Sequence, residues 1–584
     1  MRPARRSVTV GIAASMVLAL AGPFTASNKP SAVPAKPDDR ALVHVLNRIG
    51  FGPTPDAVAR VREIGLQKYI DSQLNPERID DGALSARLAS FETLSKSTSE
   101  MARQYFLPAQ MARREQQQAQ RNAPQPEPSS GSAAVPAETT PEMRRERMTP
   151  EQAEAVRMER LALAELMQAK VLRAAYSERQ LEEVLVDFWF NHFNVFSGKG
   201  QVRVYLNEYE RDAIRPRALG KFKDLLQATA ESPAMLFYLD NWQSSAPAGA
   251  VTAAAQSPRF TPRNSNRPLN GAGMAGTNGQ VGGRRRQPNM LPTPPAPQDP
   301  QPNANQQRRR GLNENYAREL MELHTLGVDG GYTQKDVQEI ARAFSGWTIA
   351  NPRQGGGFRF EPRMHDDGEK IVLGHKLKAG GGKRDGDEVI ALLAKHPSTA
   401  RFISTKLARR FVADDPPAAL VERAAQRFKE TDGDIREVVR TIVTSPEFFA
   451  ADAYRAKVKT PFEFVVSAVR ATGVQTENAL PLVQAVRTLG MPLYACQPPT
   501  GYSDKAEAWV NSGALLSRMN FAVTLTSGRP RQTGGTAPAV TSNALVAAAM
   551  AGDISTSTAA TIAKATSQPQ ALALALGSPE FQKR

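Results

Sequence analysis

The sequence predicts a mainly α fold, a multi-helical single domain with a small β element and two long disordered insertions. Three observations predict it. Apolar residues recur at helical spacing through most of residues 38–526, between N-cap and first-turn proline signals. β-type patterning, with β-branched and aromatic residues among glycines, is confined to Gly346–Ile349, Phe358–Phe360 and Ile371–Leu373. Residues 112–148 and 243–310 are rich in Gln, Pro, Ser, Gly or Ala and poor in apolar side chains, a composition that buries too little surface to fold.

The elements follow in order. Arg2, Arg5 and Arg6 precede a short apolar run, Val8–Leu20, and Ala19-Leu20-Ala21 matches a small-residue cleavage site. Residues 1–21 therefore read as a secretory signal peptide cleaved after Ala21, since crossing a bilayer takes about 20 apolar residues. The mature protein is expected in the periplasm or outside the cell, without a membrane span. Residues 22–37 read as a Pro/Lys/Ala linker. Leu42, Val45, Leu46 and Ile49 mark a first helix. Thr54-Pro55-Asp56 reads as the start of a second, and Gly65 separates it from a third that carries Tyr69, Ile70 and Leu74. Thr149-Pro150-Glu151-Gln152 and Ser177-Glu178-Arg179-Gln180 read as capping boxes, the latter opening the stripe Leu181, Val184, Leu185, Phe188 and Trp189. Helices are expected near 202–214 and 219–230, after Ser232-Pro233, at 312–326 with Gly327 as C-cap, at 334–345, and from 387 to 526. Residues 527–584 form a linker and an Ala-rich helical tail of the same domain. Ser-Pro-Glu-Phe, at 445–448 and 578–581, repeats the N-cap-plus-proline signal.

The 584 residues, 41% hydrophobic, suffice for a large core. The single cysteine, Cys496, excludes an intramolecular disulfide, a multi-thiolate zinc site and an iron–sulfur cluster, and with no neighbouring His it reads as inert. Of the formal net charge of +16, residues 1–30 carry +4 and residues 243–310 carry +8, which leaves +4 for everything else. The folded part is near balance. Arg284-Arg285-Arg286 and Arg308-Arg309-Arg310 could touch a polyanion, but no aromatic residues interleave with them, so specific nucleic-acid binding is not expected. The sequence has no Gly-x-Ser-x-Gly elbow, no P-loop and no His-Glu-x-x-His.

Three phrases have the polar density for chemistry. In Asn313–Gly327, helical spacing puts Asn315, Arg318 or Glu319, and Glu322 on one face, which suits an ion-pair network, a metal or an acid/base pair. Asn315, Arg318, Glu319 and Glu322 are the candidate catalytic set. In Asp187–Asn194, His192 lies in an aromatic stripe; a single His there is most simply a core residue, and otherwise a ligand. His365-Asp366-Asp367-Gly368-Glu369-Lys370 reads as a functional loop or a plain turn. His192, His365 and Asp366 are the candidate ligands of a divalent metal, with Glu319 and Glu322 able to complete the set.

Leu46-Asn47-Arg48 with Phe51-Gly52-Pro53-Thr54, Trp189-x-Asn191-His192-Phe193, Tyr238-Leu239-Asp240, Asn313–Gly327, Ala341–Thr348, His396-Pro397, Lys459-x-Pro461 and Pro498-Pro499 to Trp509 together resemble the bacterial domain of unknown function 1800 family. The resemblance covers nearly the whole mature chain in order. It implies export, encoding beside sulfatase-like or phosphatase-like secreted proteins, and residues 243–310 as an insertion. Tyr502 departs from the family's usual Trp. The family supplies no settled activity.

Two functional readings follow. In the first, the protein is an exported envelope or extracellular binding or assembly protein, whose partner is a co-exported protein or an acidic polymer. It requires the Asn315/Arg318/Glu319/Glu322 face to be buried and saturated. In the second, it is a metal-assisted enzyme acting on envelope or extracellular carbohydrate. It requires Glu319, Glu322, His192 and His365 to converge on an open pocket with free carboxylates.

Overall fold

Most helices begin where a short polar side chain meets an apolar stripe. The computed structural model describes residues 32–122, 149–252, 311–528 and 534–584. The signal peptide, most of the 22–37 linker, and residues 123–148 and 253–310 of the two insertions lie outside the described residues.

Asp38 accepts the Ala41 N–H at 2.8 Å and opens α1 (Asp39–Arg48). α2 (Ala57–Ile64), α3 (Leu66–Gln73) and α4 (Gly82–Leu88) follow. A Ser97/Glu100 capping box opens α5 (Thr98–Met101), which runs through a π turn into α6 (Leu107–Asn122). The Thr149/Gln152 box opens α7 (Pro150–Tyr176), which turns sharply into α8 (Gln180–His192). Next come α9 (Val202–Glu208) with a π turn to Ile214, α10 (Phe222–Glu231) and α11 (Pro233–Tyr238). After the second insertion come α12 (Glu314–Glu322) and α13 (Gln334–Ala343).

Two small antiparallel hairpins follow: β1 (Trp347–Ile349) with β2 (Phe358–Phe360), Thr348 opposite Arg359, and β3 (Lys370–Val372) with β4 (His375–Leu377), Ile371 opposite Lys376. The helices resume with α14 (Lys383–Lys395), α15 (Pro397–Phe411), α16 (Ala418–Glu430), α17 (Ile435–Val443), α18 (Pro461–Thr472) and α19 (Leu480–Thr488). α20 (Ser512–Thr526), α21 (Ser542–Met550), α22 (Thr556–Ala563), α23 (Gln568–Gly577) and α24 (Pro579–Gln582) complete the series.

The fold is mainly α, and one apolar core runs from Leu42 to Phe581. α18, opened by a Thr460/Glu463 capping box, is buried along its whole length. Around it α1 and residues 582–584 come together. Arg48 caps the C-terminal end of α15 through the Phe411 and Val412 carbonyls (3.1 and 2.8 Å) and also donates to Ala453 O. Arg410 and Arg584 share the Glu463 carboxylate, and Val458 bridges to Lys583. No helix among the described residues is long and apolar enough to cross a membrane.

Several local expectations change. Residues 112–122 are helical, because buried Ala109 and Ala112 pack and Arg113 pairs with Glu159 of α7. Residues 243–252 belong to the body, where Ser244 is buried and Ala246 N–H donates to Met364 O at 2.7 Å. The linker's last residues are docked, Ala32 N–H donating to Thr444 O at 3.0 Å. Thr54 bonds Asp56 at 2.8 Å in a turn, and α2 starts only at Ala57. Ser177 is no N-cap: its hydroxyl donates to Asp81, while Gln180 accepts the Phe51 N–H at 3.0 Å. α12 ends at Glu322, five residues before the left-handed Gly327. Ser445 starts a turn, whereas Ser578 does cap a helix.

Candidate functional site

The three predicted phrases go to three different surroundings. On α12, Tyr316, Ala317, Leu320 and Met321 form the buried face, and Asn315 is exposed. Arg318 donates to Gln334 Oε1 at 2.8 Å, and Glu322 accepts the Tyr332 hydroxyl at 3.1 Å. Glu319 makes no side-chain hydrogen bond among the described residues; burial and the neighbouring Glu322 push its carboxyl up. This face is a half-exposed seam against α13, neither saturated in the core nor open to a large cavity.

His192, 2% exposed, is packed among Phe188, Trp189, Phe193 and Phe402. Its Nε2 contacts the His324 carbonyl at 3.1 Å; a carbonyl only accepts, so Nε2 carries the proton. Burial, aided by the Lys406 charge, holds this imidazole neutral well below its ordinary pKa. His365 Nδ1 donates to Ser345 O at 2.8 Å and its Nε2 faces Asp385 Oδ2 at 3.3 Å. Asp385 also holds buried Lys370 at 2.5 Å. Asp366 takes a forked pair of bonds from Arg342, at 2.8 and 3.1 Å, and the Gly368 N–H at 2.9 Å. These residues fasten the β3–β4 hairpin to α13 and α14. Among the described residues, no three His, Cys, Asp or Glu side chains are placed to hold a metal.

A polar concavity lies elsewhere. A cleft of about 890 Å³ separates α4 and the turn after it from the corner where α7 meets α8. The corner follows from its own residues. Asp81 accepts the Ser177 hydroxyl at 2.8 Å and the Glu178 N–H at 2.9 Å, pinning the start of α4 to it. Gln180 donates back to Ala174 O and Ser177 O at 3.1 and 2.8 Å. Arg173 sits in the last turn of α7, and Glu182 and Glu183 in the first turn of α8, charges that suit the two helix dipoles.

Most charges at the cleft are already engaged. Arg215 forks onto Glu183 at 2.6 and 3.1 Å and lies 3.5 Å from buried Glu210. Glu210 accepts the Tyr494 hydroxyl at 2.7 Å, and behind it Lys170 pairs with Asp187 at 2.8 Å. Against the cost of burial, Lys170 and Arg215 hold the Glu210 carboxyl below its usual range. Arg179 Nε is spent on Ile79 O at 3.0 Å. Four wall groups make no side-chain hydrogen bond or ion pair with the described residues: Arg173 and Glu182 at the corner, and Glu92 and Lys96 on the turn after α4. Burial pulls the Arg173 guanidinium down and pushes the Glu182 carboxyl up, with Arg215 opposing the latter.

Sequence reasoning missed Arg173, Glu182, Glu183 and Arg215. Ser177–Gln180 was assigned to helix capping, and nothing in the spacing of Arg173 marks it. The one local signal is the density of charge on either side of the α7–α8 turn.

A family model described as protein of unknown function (DUF1800) matches residues 44–583. No curated protein and no solved structure matches the chain.

Proposed function

Since the chain belongs to the DUF1800 family, whose description assigns no activity, we propose from its geometry that it is an exported binding protein that seats a polar ligand in the cleft under α4. One observation carries this: a cleft of about 890 Å³, within the size range of ligand sites, keeps a guanidinium and a carboxyl, Arg173 and Glu182, without hydrogen-bonded or ion-paired partners among the described residues. Arg215, Glu183 and Glu210 beside them are paired, so unspent charges on the same cavity wall favour an external partner. Export rests on the Arg2/Arg5/Arg6 and Ala19-Leu20-Ala21 pattern, which lies outside the described residues. The metal-assisted reading has less support, because His365 and Asp366 spend their polar atoms on structural bonds and His192 is sealed among aromatic rings.

Ser85 lines the cleft and is exposed, so Ser85→Trp fills the cavity with little cost to packing. Binding to an array of envelope and extracellular polymers is expected for the wild type and not for Ser85→Trp. Equal binding by both would move the site away from the cleft. Release of new reducing ends from a bound glycan would turn the reading to an enzyme. Recovery of the protein from the periplasm with its N-terminus at Gly22 tests export.

A further inference from the structure

We propose that the cleft is a subsite for an acidic sugar of a polysaccharide chain, with Arg173 reading the carboxylate of each bound residue. This rests on the cleft being the ligand site.

Four features lead to that class. First, the cleft offers two cations and two carboxyls with no side-chain hydrogen bond or ion pair among the described residues, Arg173 with Lys96 and Glu182 with Glu92, and of the two cations only Arg173 presents paired N–H donors. A carboxylate on the ligand satisfies the guanidinium through paired bonds, and ligand hydroxyls satisfy Glu182. Second, Asp80, Asp81, Glu92 and Glu183 also line the wall, so the site opposes densely charged phosphate polymers and suits one charge per unit among many hydroxyls. Third, half-buried Leu88, Phe91 and Leu94 give the same cavity an apolar wall on which the C–H face of a sugar ring packs. Fourth, the walls are helices and a short turn, whose backbone groups are mostly bonded internally, so no strand edge is present to pair with an extended peptide.

A linear chain also has somewhere to go. A second cavity of about 300 Å³ lies on the other side of α4, and Leu84 lines both. This second cavity carries Arg60, Arg87 and Arg470 in its wall. Arg60 is partnered by Asp56 and Glu178, and Arg470 by the Gly52 and Ala175 carbonyls. The chain-reading charge is therefore in the larger cleft.

The test is calorimetric titration of the full mature chain with a defined oligouronate and with the same oligosaccharide after reduction of its carboxyl groups. Wild type is expected to bind the acid form about tenfold or more tightly than the reduced form, the scale of one good charge-assisted pair. Arg173→Gln is expected to bind both forms equally while its melting temperature stays near wild type, because the Arg173 side chain makes no hydrogen bond or ion pair with the described residues. Ser85→Trp is expected to bind neither. Equal affinity of wild type for both forms overturns the acidic class and leaves the cleft standing. Discrimination that survives Arg173→Gln overturns the role of Arg173. Discrimination that survives Ser85→Trp overturns the cleft itself. Failure of wild type to bind any of several oligouronates overturns the proposal.

Discussion

Lys459 is 3% exposed, lies 3.9 Å from the centre of the Phe581 ring, and has its pKa lowered to about 7, chiefly by burial. Below pH 7 both the folded and unfolded chains carry this proton, and the folded state bears the full cost of the buried charge. As pH rises from 7 towards the unfolded value of about 10.4, that cost disappears. Lys459→Met is therefore expected to stabilise the protein by about 1–4 kcal/mol at pH 6, with the gain shrinking to nothing near pH 10. Urea unfolding of both proteins across that range checks it; a variant less stable than wild type at pH 6 would show that the ammonium is needed beside Glu463. Residue-level surroundings of this kind were not legible in the sequence. Lys459-x-Pro461 marked the resemblance, and Glu463 stood three residues after a threonine, but the arginines that crowd them come from positions 48, 410 and 584. The same holds for Arg173, whose lack of a partner is a fact about four other segments.

At the scale of elements, local rules succeeded where the partner was within a turn. The Thr149/Gln152 box and the Ser232-Pro233 start are in place, because a cap needs only its own first turn. Ser177-Glu178-Arg179-Gln180 has the same spelling, yet Asp81, from 96 residues earlier, takes the hydroxyl, and Gln180 is turned to Phe51. Gln-rich residues 112–122 stay helical for a similar reason, since α7 supplies the buried contact that their composition lacks. The loop Cys496–Tyr502 shows how an element is held by one position. Asn191, near the end of α8, exchanges bonds with Tyr502 at 2.8 and 2.7 Å, and Asn194 donates to Cys496 O and Pro498 O at 3.0 and 2.8 Å. Gly501 makes this approach with φ +73°, and a Cβ there would stand 2.2 Å from Asn191 O. Gly501→Ala is expected to cost about 2 kcal/mol or more, from strain plus displacement of the loop. Thermal unfolding measures it, and a shift within error of wild type would show that the loop moves aside freely.

Over the whole molecule, fold class and the family were legible because helical periodicity and motif order persist along the chain; the pairing of distant segments was not. Three buried histidines, His192 and His324 in contact and His44 apart from them, give the protein a common acid response. His44 and His324 have their pKa lowered to about 3 and His192 is held well below its ordinary value, each mainly by burial. Above the ordinary imidazole value of about 6.5 their contribution to stability is fully present; as pH falls below it the unfolded chain takes up protons that the folded one refuses. The urea midpoint is expected to fall steadily from pH 6.5 to 5, before carboxylates titrate, by up to about 1.4 kcal/mol per pH unit for each histidine. A flat midpoint in that window would show that the histidines find partners when protonated.

The joining of α1 to the far end of the chain sets an order of events in time. Arg48 waits for carbonyls more than 360 positions away, and Glu463 is completed by Arg584. Contacts of such separation form late and slow folding. A growing polypeptide leaves the ribosome with α1 unable to lock until residues 411–584 have been made. Until then the chain stays slack, a delay that suits the export proposed above.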